Sequence, residues 1–333
     1  VTQLRATMGS EMLLLVFALA LGLSSSWADI LTNDYYLQTC PAAEGIIQRK
    51  MSSWFRNDSS LAPSIIRLHF HDCAVRGCDA SVLLNHEGSE RAAKVSRTLR
   101  GFNVIDDIKA ELERRCPQTV SCADILTAAA RDATVQLGGP FWEVPFGRKD
   151  GRTSIGSEAE KFVPQGRENV TSLIDFFQSN LGLSVLDLVV LSGSHTIGRS
   201  TCSSFAYSRS PRAAARNANV LRIDSTYLNR TRSACSSQNG KIKPRSRFVD
   251  LDVSTPKIFD VQYYANLGKN MGLLTTDQEL AIDQRTAPFV SMLAGQPDLF
   301  LSQFSASMVK LGNIVLPSWD HGEVRRQCDI INA

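Results

Sequence analysis

Eight cysteines limit what this 333-residue chain can fold into. They are Cys40, Cys73, Cys78, Cys116, Cys122, Cys202, Cys235 and Cys328, and all follow an apolar, charge-free run over residues 12–23. That run is too short to span a bilayer comfortably. The small-residue site Ser26-Trp27-Ala28 comes next, the pattern of a secretory signal peptide cut after Ala28. A buried core helix is the competing reading of the run. The chain opens on Val1, and Met8 is a candidate start. Residues 1–28 are therefore set aside as signal peptide, and residues 29–333 form one mature domain. An even cysteine count in an exported chain predicts disulfides throughout, with the pairing left open by spacing alone. Zinc is the weaker alternative, because no two cysteines have Cys-x-x-Cys spacing and no histidine stands at finger distance. Sequons at Asn57, Asn169 and Asn229 fit a secreted glycoprotein. A formal charge of +3, without a basic run interleaved with aromatics, argues against nucleic acid.

One stretch concentrates the chemistry: Ser64-Ile65-Ile66-Arg67-Leu68-His69-Phe70-His71-Asp72-Cys73. On a helix, Arg67 and His71 share a face, with Phe70 beside them. A permanently charged guanidinium next to an imidazole keeps the imidazole neutral and able to accept a proton. Read alone, the stretch is equally an amphipathic helix with a surface arginine and histidine.

Most periodic segments read as helix. Helices are expected over 42–55, 61–73 and 102–115. Ser121 caps a further one, with Asp124 as capping-box partner, and Gly138-Gly139-Pro140 ends it. Residues 141–166 are turn-rich. Helix 169–181 stops at Gly182, and another runs from Ser184 to Ser192-Gly193-Ser194, with His195 opening the next. Residues 208–248 are polar, basic and weakly patterned. Helices over 258–267, 277–283 and 286–294 follow, and Pro297 starts the last, which aligns Phe300, Phe304, Met308 and Leu311. No repeat or composition break divides the chain. The fold class is mainly α.

Five motifs together are far more specific than any one. They are Arg67-Leu68-His69-Phe70-His71-Asp72-Cys73, Gly77-Cys78-Asp79-Ala80-Ser81-Val82-Leu83, Val120-Ser121-Cys122-Ala123-Asp124-Ile125, Leu191-Ser192-Gly193-Ser194-His195-Thr196-Ile197-Gly198 and Asp277-Gln278-Glu279-Leu280. In this order and spacing, the chain resembles the class III plant secretory peroxidases, haem enzymes of the horseradish peroxidase type, from about residue 31 to residue 329. The resemblance implies two helical layers sandwiching haem b. It makes His195 the axial ligand, Asp277 the carboxylate that holds its Nδ1 proton, and Phe70 a wall of the haem pocket. A helix N-cap is the plain alternative for Asp277. It makes His71 the base that moves a proton on bound hydrogen peroxide and Arg67 the cation that stabilises the departing oxygen. Small phenolic donors would then be oxidised by one-electron steps through ferryl intermediates, at a site marked by Pro164.

The same resemblance implies two calcium ions, which want clustered hard oxygens. The first would take Asp72, Asp79, Ser81 and the carbonyls of Val75 and Gly77, with Glu90 through water. The second would take Thr196, Asp252, Thr255, the Ile258 carbonyl and Asp260. Implied disulfides are Cys40–Cys116, Cys73–Cys78, Cys122–Cys328 and Cys202–Cys235, and Asp124–Arg148 is an implied buried salt bridge. His69 points off the haem face. One departure stands out. Family members carry an asparagine before Arg100-Gly101-Phe102 that orients the distal histidine, and the segment 90–99 has none. Ser96 is the nearest substitute, with a shorter reach. The expected protein is a secreted monomer of the apoplast or cell wall, membrane-free after signal cleavage. Roles in lignin or suberin formation, wall cross-linking and oxidative stress follow from that class. Its rival is a non-catalytic wall protein on the same fold, against which the intact Arg67, His71, His195 and Asp277 argue. A catalase-like reading would require a tyrosine ligand.

Overall fold

The computed structural model describes residues 31–205, 223–236, 247–315 and 322–333. The signal-peptide reading of residues 1–28 and much of the polar segment 208–248 lie outside the described residues. Thirteen α-helices and one two-stranded antiparallel ribbon are present among those described.

The first half is built on α4 (Cys122–Gln136), which is buried from Cys122 to Thr134. Its Ala128-Ala129-Ala130 run leaves room for neighbours to approach closely. α1 (Ala43–Asn57), α2 (Leu61–Cys73) and α3 (Phe102–Arg115) all pack on it. Ser121 caps α4 by accepting from the Asp124 N–H at 3.1 Å. The expected reciprocal bond is not made, because the Asp124 carboxylate is used elsewhere. Its Oδ2 accepts from Tyr36 Oη at 2.6 Å and from the Gly147 N–H at 2.8 Å, and its Oδ1 accepts from Arg148 Nη1 at 2.8 Å. Arg148 Nε donates in turn to the Gly312 carbonyl. One buried pair thus ties the start of the domain, the 140s loop and the end of the last helix.

Two short helices follow. α5 (Gly156–Phe162) lies within the segment read as turn-rich; with Ala159 and Phe162 as its apolar side chains, its seven residues give too little periodicity to detect. α6 (Val170–Asp175) is capped by the Asn169 side chain and passes into a π turn, Phe176–Asn180, so the helix expected over 169–181 is interrupted. The π turn sets the Phe177 ring against Phe70, centroids 6.4 Å apart.

The second half centres on α7 (Val185–Ser192), started by a Ser184–Asp187 capping box. A 3₁₀ turn, Gly193–Thr196, extends it and carries His195. His195 therefore ends a helix and does not open one. Ile197 is extended and Gly198 has φ +87°, which turns the chain into β1 (Arg199–Thr201) and α8 (Cys202–Phe205). α9 (Ser225–Cys235) precedes β2 (Phe248–Asp250), and β2 pairs with β1 with Ser200 opposite Val249.

α10 (Gln262–Gly268) starts later than the expected residue 258. The preceding N–H groups of Ser254 and Thr255 are taken by Asp252, and that of Gln262 by Asp260, which holds the segment in turns. α11 (Thr275–Leu280) begins two residues before Asp277. That residue occupies its third position and accepts from the Leu274 N–H, so it is not the N-cap. α12 (Ala287–Ala294) and α13 (Pro297–Gly312) complete the half; α13 packs on α7 and touches α2. Phe300, Phe304, Met308 and Leu311 are the buried face of α13.

Four disulfides staple these parts: Cys40–Cys116, Cys73–Cys78, Cys122–Cys328 and Cys202–Cys235. No described cysteine is free. Among the described residues no single helix is long and apolar enough to cross a membrane.

Both side chains of the Asp124–Arg148 pair are fully buried. Removing one partner leaves the other charged and uncompensated, which costs about 3–5 kcal/mol. Arg148→Ala is expected to lower the thermal midpoint accordingly, read by circular dichroism. A midpoint within error of wild type would show that the pair holds nothing together.

Candidate active site

Helix α2 has two uses. Leu61, Ala62, Ile65, Leu68 and His69 face the core, each nearly or fully buried. Arg67, Phe70 and His71 line a cavity of about 1370 Å³. The opposite wall comes from α7 and its 3₁₀ turn, through Leu188, Leu191, Ser194 and His195. Leu173, Phe177, Phe304 and Met308 add apolar walls, and Pro164 is among the lining residues. Two histidines on separate walls of one largely apolar chamber suit a flat, apolar, metal-centred cofactor. Arg97, Arg199 and Lys257 also line the cavity and suit the carboxylates such a cofactor carries.

The two histidines are chemically opposite. Burial, and then the Arg67 charge, hold His71 well below the ordinary imidazole value, so it is a neutral base. Burial lowers Arg67 to about 10, and it remains a cation at neutral pH. Its exposed surface is surface of the cavity. Its guanidinium is held from the side by Thr98 Oγ1, at 2.8 Å, and by the Val95 carbonyl. His195 donates from Nδ1 to Asp277 Oδ1 at 2.7 Å. Burial opposes its charged form, but the Asp277 charge and hydrogen bond outweigh that, and its pKa lies above the ordinary value. Nε2 is then the nitrogen left for the cavity, on a side chain one-third exposed (34%). This is the donor arrangement of an axial ligand with a carboxylate behind it.

The Gly193 position is forced small: a Cβ there would lie 2.3 Å from Tyr264 Oη and 2.6 Å from a Phe300 ring carbon. Tyr263 was not singled out from sequence. Its phenol donates to Asp277 Oδ1 at 3.1 Å, the same oxygen that His195 uses. The adjacent tyrosines 263 and 264 on a short helix were its only signal.

The segment 90–99, which has no asparagine, leaves a mark. His71 Nδ1 is buried without a protein partner, and so is Ser96 Oγ. The serine hydroxyl therefore does not take up the role of an acceptor for His71. His69 is buried and pushed down to about 3 by burial and then by Arg148, with Nε2 3.5 Å from Cys73 Sγ. The His69, Cys73 and Cys78 group cannot ligate a metal through thiolates, because the two sulfurs are bonded to each other.

Behind α2 lies a buried acidic cluster. Asp72 accepts from the Ala80 and Val82 N–H groups, and Asp79 Oδ1 from that of Ser81. Asp79 Oδ2, Ser81 Oγ and Glu90 Oε2 are buried without protein partners. Burial and the charge of Asp79 push Asp72 well up; burial brings Asp79 to about 7; burial with Asp79 and Asp72 brings Glu90 to about 9. Crowded and buried in this way, the carboxylates hold protons well above the ordinary carboxylate range, and a hard cation would take the place of those protons on the same oxygens. Val75 and Gly77 sit in the same loop, where Gly77 (φ +99°) passes against the Ile314 carbonyl. A second oxygen cluster lies directly after His195. Thr196 Oγ1 and Thr255 Oγ1 each donate to Asp260 Oδ1 at 3.1 Å and approach Asp252 Oδ2 at 3.4 Å. The Ile258 side chain is exposed, and its N–H closes a turn on Thr255. Asn57, Asn169 and Asn229 are all exposed.

Residues 47–296 match the family described as Peroxidase. Peroxidase 7 of Arabidopsis thaliana is 50% identical over 308 residues, covering 92% of this chain and 85% of that protein. Peroxidase 40 of the same plant is 42% identical over 308 residues, covering 91% and 86%. Peroxidase 1 of Oryza sativa subsp. japonica is 38% identical over 332 residues, covering 98% and 100%. The chain belongs to the peroxidase family, in its class III plant branch. It is a haem peroxidase that acts on hydrogen peroxide and reducing substrates. Its relatives and its disulfides fit a protein of the secretory route.

An unpartnered buried hydroxyl costs about 1–3 kcal/mol. Ser96→Ala is therefore expected to keep or raise the thermal midpoint. A fall of several degrees would reveal a bridge between Ser96 and His71.

Proposed function

We propose that this is a secreted haem b peroxidase in which the residues facing the cavity divide the work as follows. When bound, haem supplies an iron that can take up peroxide and store its oxidising equivalents. His195 would hold that iron through Nε2, with Asp277 keeping the Nδ1 proton and making the imidazole a stronger donor. His71 accepts the proton of peroxide and returns it to the departing oxygen. Arg67 stabilises the charge that develops on that oxygen. Phe70 and Phe177 close the chamber to bulky groups. Phenolic donors, oxidised one electron at a time, would approach by Pro164. The observation that carries the reading is two histidines lining one cavity: His71 held neutral by burial and Arg67, and His195 bound through Nδ1 to the buried Asp277 carboxylate at 2.7 Å, which leaves Nε2 as its donor.

Two calcium ions complete the proposal. One would be held by Asp72, Asp79, Ser81 and the Val75 and Gly77 carbonyls, with Glu90 through water; its support is the buried, unpartnered oxygens there. The other would be held by Thr196, Asp252, Thr255, the Ile258 carbonyl and Asp260. Each set begins next to a cavity histidine or one residue from it, so the ions would brace both walls. A monomer exported to the apoplast or cell wall, cleaved after Ala28 and glycosylated at Asn57, Asn169 and Asn229, is the form in which we expect it to act. Wall cross-linking, lignin or suberin formation and the response to oxidative stress are the roles such chemistry serves.

Stopped-flow absorbance of the holoprotein mixed with hydrogen peroxide tests the core of this. A Soret band that shifts on mixing is expected, and His71→Leu should keep the band but slow its change by about 10²–10⁴-fold. A base whose pKa is depressed stays unprotonated as pH falls through the ordinary imidazole range. The wild-type rate should therefore hold steady from pH 7 through pH 6.5, with its acid limb below. A limb centred at the ordinary value, or a His71→Leu protein that reacts normally, would remove His71 from the role.

Calcium removal is the second test. Chelation is expected to lower the thermal midpoint and broaden the Soret band, both restored by added calcium. Asp79→Asn should blunt the calcium response. Full activity and an unchanged midpoint in protein shown to be calcium-free would discard both sites.

A further inference from the structure

We propose that Tyr263 is a positioning residue for the axial histidine: its phenol proton occupies Asp277 Oδ1, the oxygen that receives the His195 Nδ1 proton, and limits how far that proton is drawn from the imidazole. The inference rests on the haem-peroxidase reading above and goes beyond it. Three donors converge on this one carboxylate. His195 Nδ1 stands 2.7 Å and Tyr263 Oη 3.1 Å from Oδ1, and the Leu274 N–H stands 3.1 Å from Oδ2. The carboxylate is buried, at 2% exposure, and Tyr263 is buried at 3%, so no competing solvent dilutes these bonds.

The placement follows from α10. Its consecutive tyrosines use their phenols differently. Tyr264 Oη donates to the Val189 carbonyl on α7, at 3.1 Å, behind the 3₁₀ turn that carries His195. Tyr263 instead meets the imidazole edge-on, ring centroids 6.2 Å apart and planes at 78°, and spends its proton on Asp277. The histidine–carboxylate pair is thus gripped from one side by a single short helix.

The chemical consequence has a sign. An acceptor oxygen shared by two donors is less basic toward each than one serving a single donor. Tyr263 therefore moderates the push that Asp277 gives to His195. The phenol leaves the imidazole closer to neutral, a weaker donor to iron, than an isolated pair would be. Loss of the hydroxyl alone should make the imidazole more imidazolate-like.

The test is Tyr263→Phe in the haem-loaded protein, which keeps the ring and removes the donor. Resonance Raman of the ferrous form is expected to show the iron–histidine stretch at higher frequency, and the ferric/ferrous potential is expected to become more negative. Tyr264→Phe is the control and should move neither. Replacing Tyr263 by 3-fluorotyrosine preserves shape and strengthens the donor, so both readings should shift the opposite way; this keeps the test decisive if the phenylalanine variant loads haem poorly. Unchanged stretch and potential in both Tyr263 variants, or equal shifts in the Tyr264 control, would overturn the proposal. A wild-type protein without any iron–histidine stretch would overturn the assignment of His195 itself, a result distinct from a silent Tyr263.

Discussion

A carboxylate can be buried only if its oxygens find donors or cations, and this requirement organises the chain. Asp124 meets it with Tyr36, Gly147 and Arg148, and so closes the first half onto the end of α13. Asp187 meets it with Ser184, Ser307 and Lys310, which fixes the start of the helix leading to His195. Asp277 meets it with His195, Tyr263 and Leu274. Beside Asp72, whose oxygens take the Ala80 and Val82 N–H groups, Asp79 and Glu90 meet it only in part. Their unpartnered oxygens lie behind the helix that carries His71, where a cation would serve the fold and the site at once.

The helices that present the site were readable because their signals are local. Helix α2 has apolar periodicity and a disulfide just past its end, and α7 has a capping box that Ser184 and Asp187 spell out. The cysteine count predicted cross-linking, but the pairing came from resemblance, since Cys122 and Cys328 are 206 residues apart and no local rule joins them. What escaped was decided by distant partners. Asp124 has the sequence position of a capping-box residue, yet Arg148 and Tyr36 outcompete the Ser121 N–H for it. His195 reads as a helix start, but Gly198 bends the chain into a strand. Tyr263 has only the adjacent tyrosine pair as a signal, because its bond depends on Asp277 arriving from another helix.

The two walls of the cavity solve different problems with similar residues. On α2 burial and the Arg67 guanidinium keep the His71 imidazole neutral, which is what the proposed role of proton acceptor needs. On the α7 turn the Asp277 carboxylate stands behind the His195 imidazole, which is what the proposed role of a strong, fixed donor needs. On the proposed reading neither wall would work by itself: His71 needs a facing metal to bring it a proton, and His195 needs a proton acceptor on the opposite wall.

The departure at residues 90–99 separates two duties that one hydrogen bond often combines. An acceptor on Nδ1 would both orient His71 and adjust its basicity. Here the basicity is already governed by burial and by Arg67, neither of which needs a partner on Nδ1. Orientation is left to packing in the cavity wall, where the Phe70 and His71 rings meet edge to face at 84°. The same segment keeps a hold on the chemistry by another route. Thr98 and the Val95 carbonyl fix the guanidinium of Arg67, so the loop that offers His71 Nδ1 no partner still orients the cation beside it.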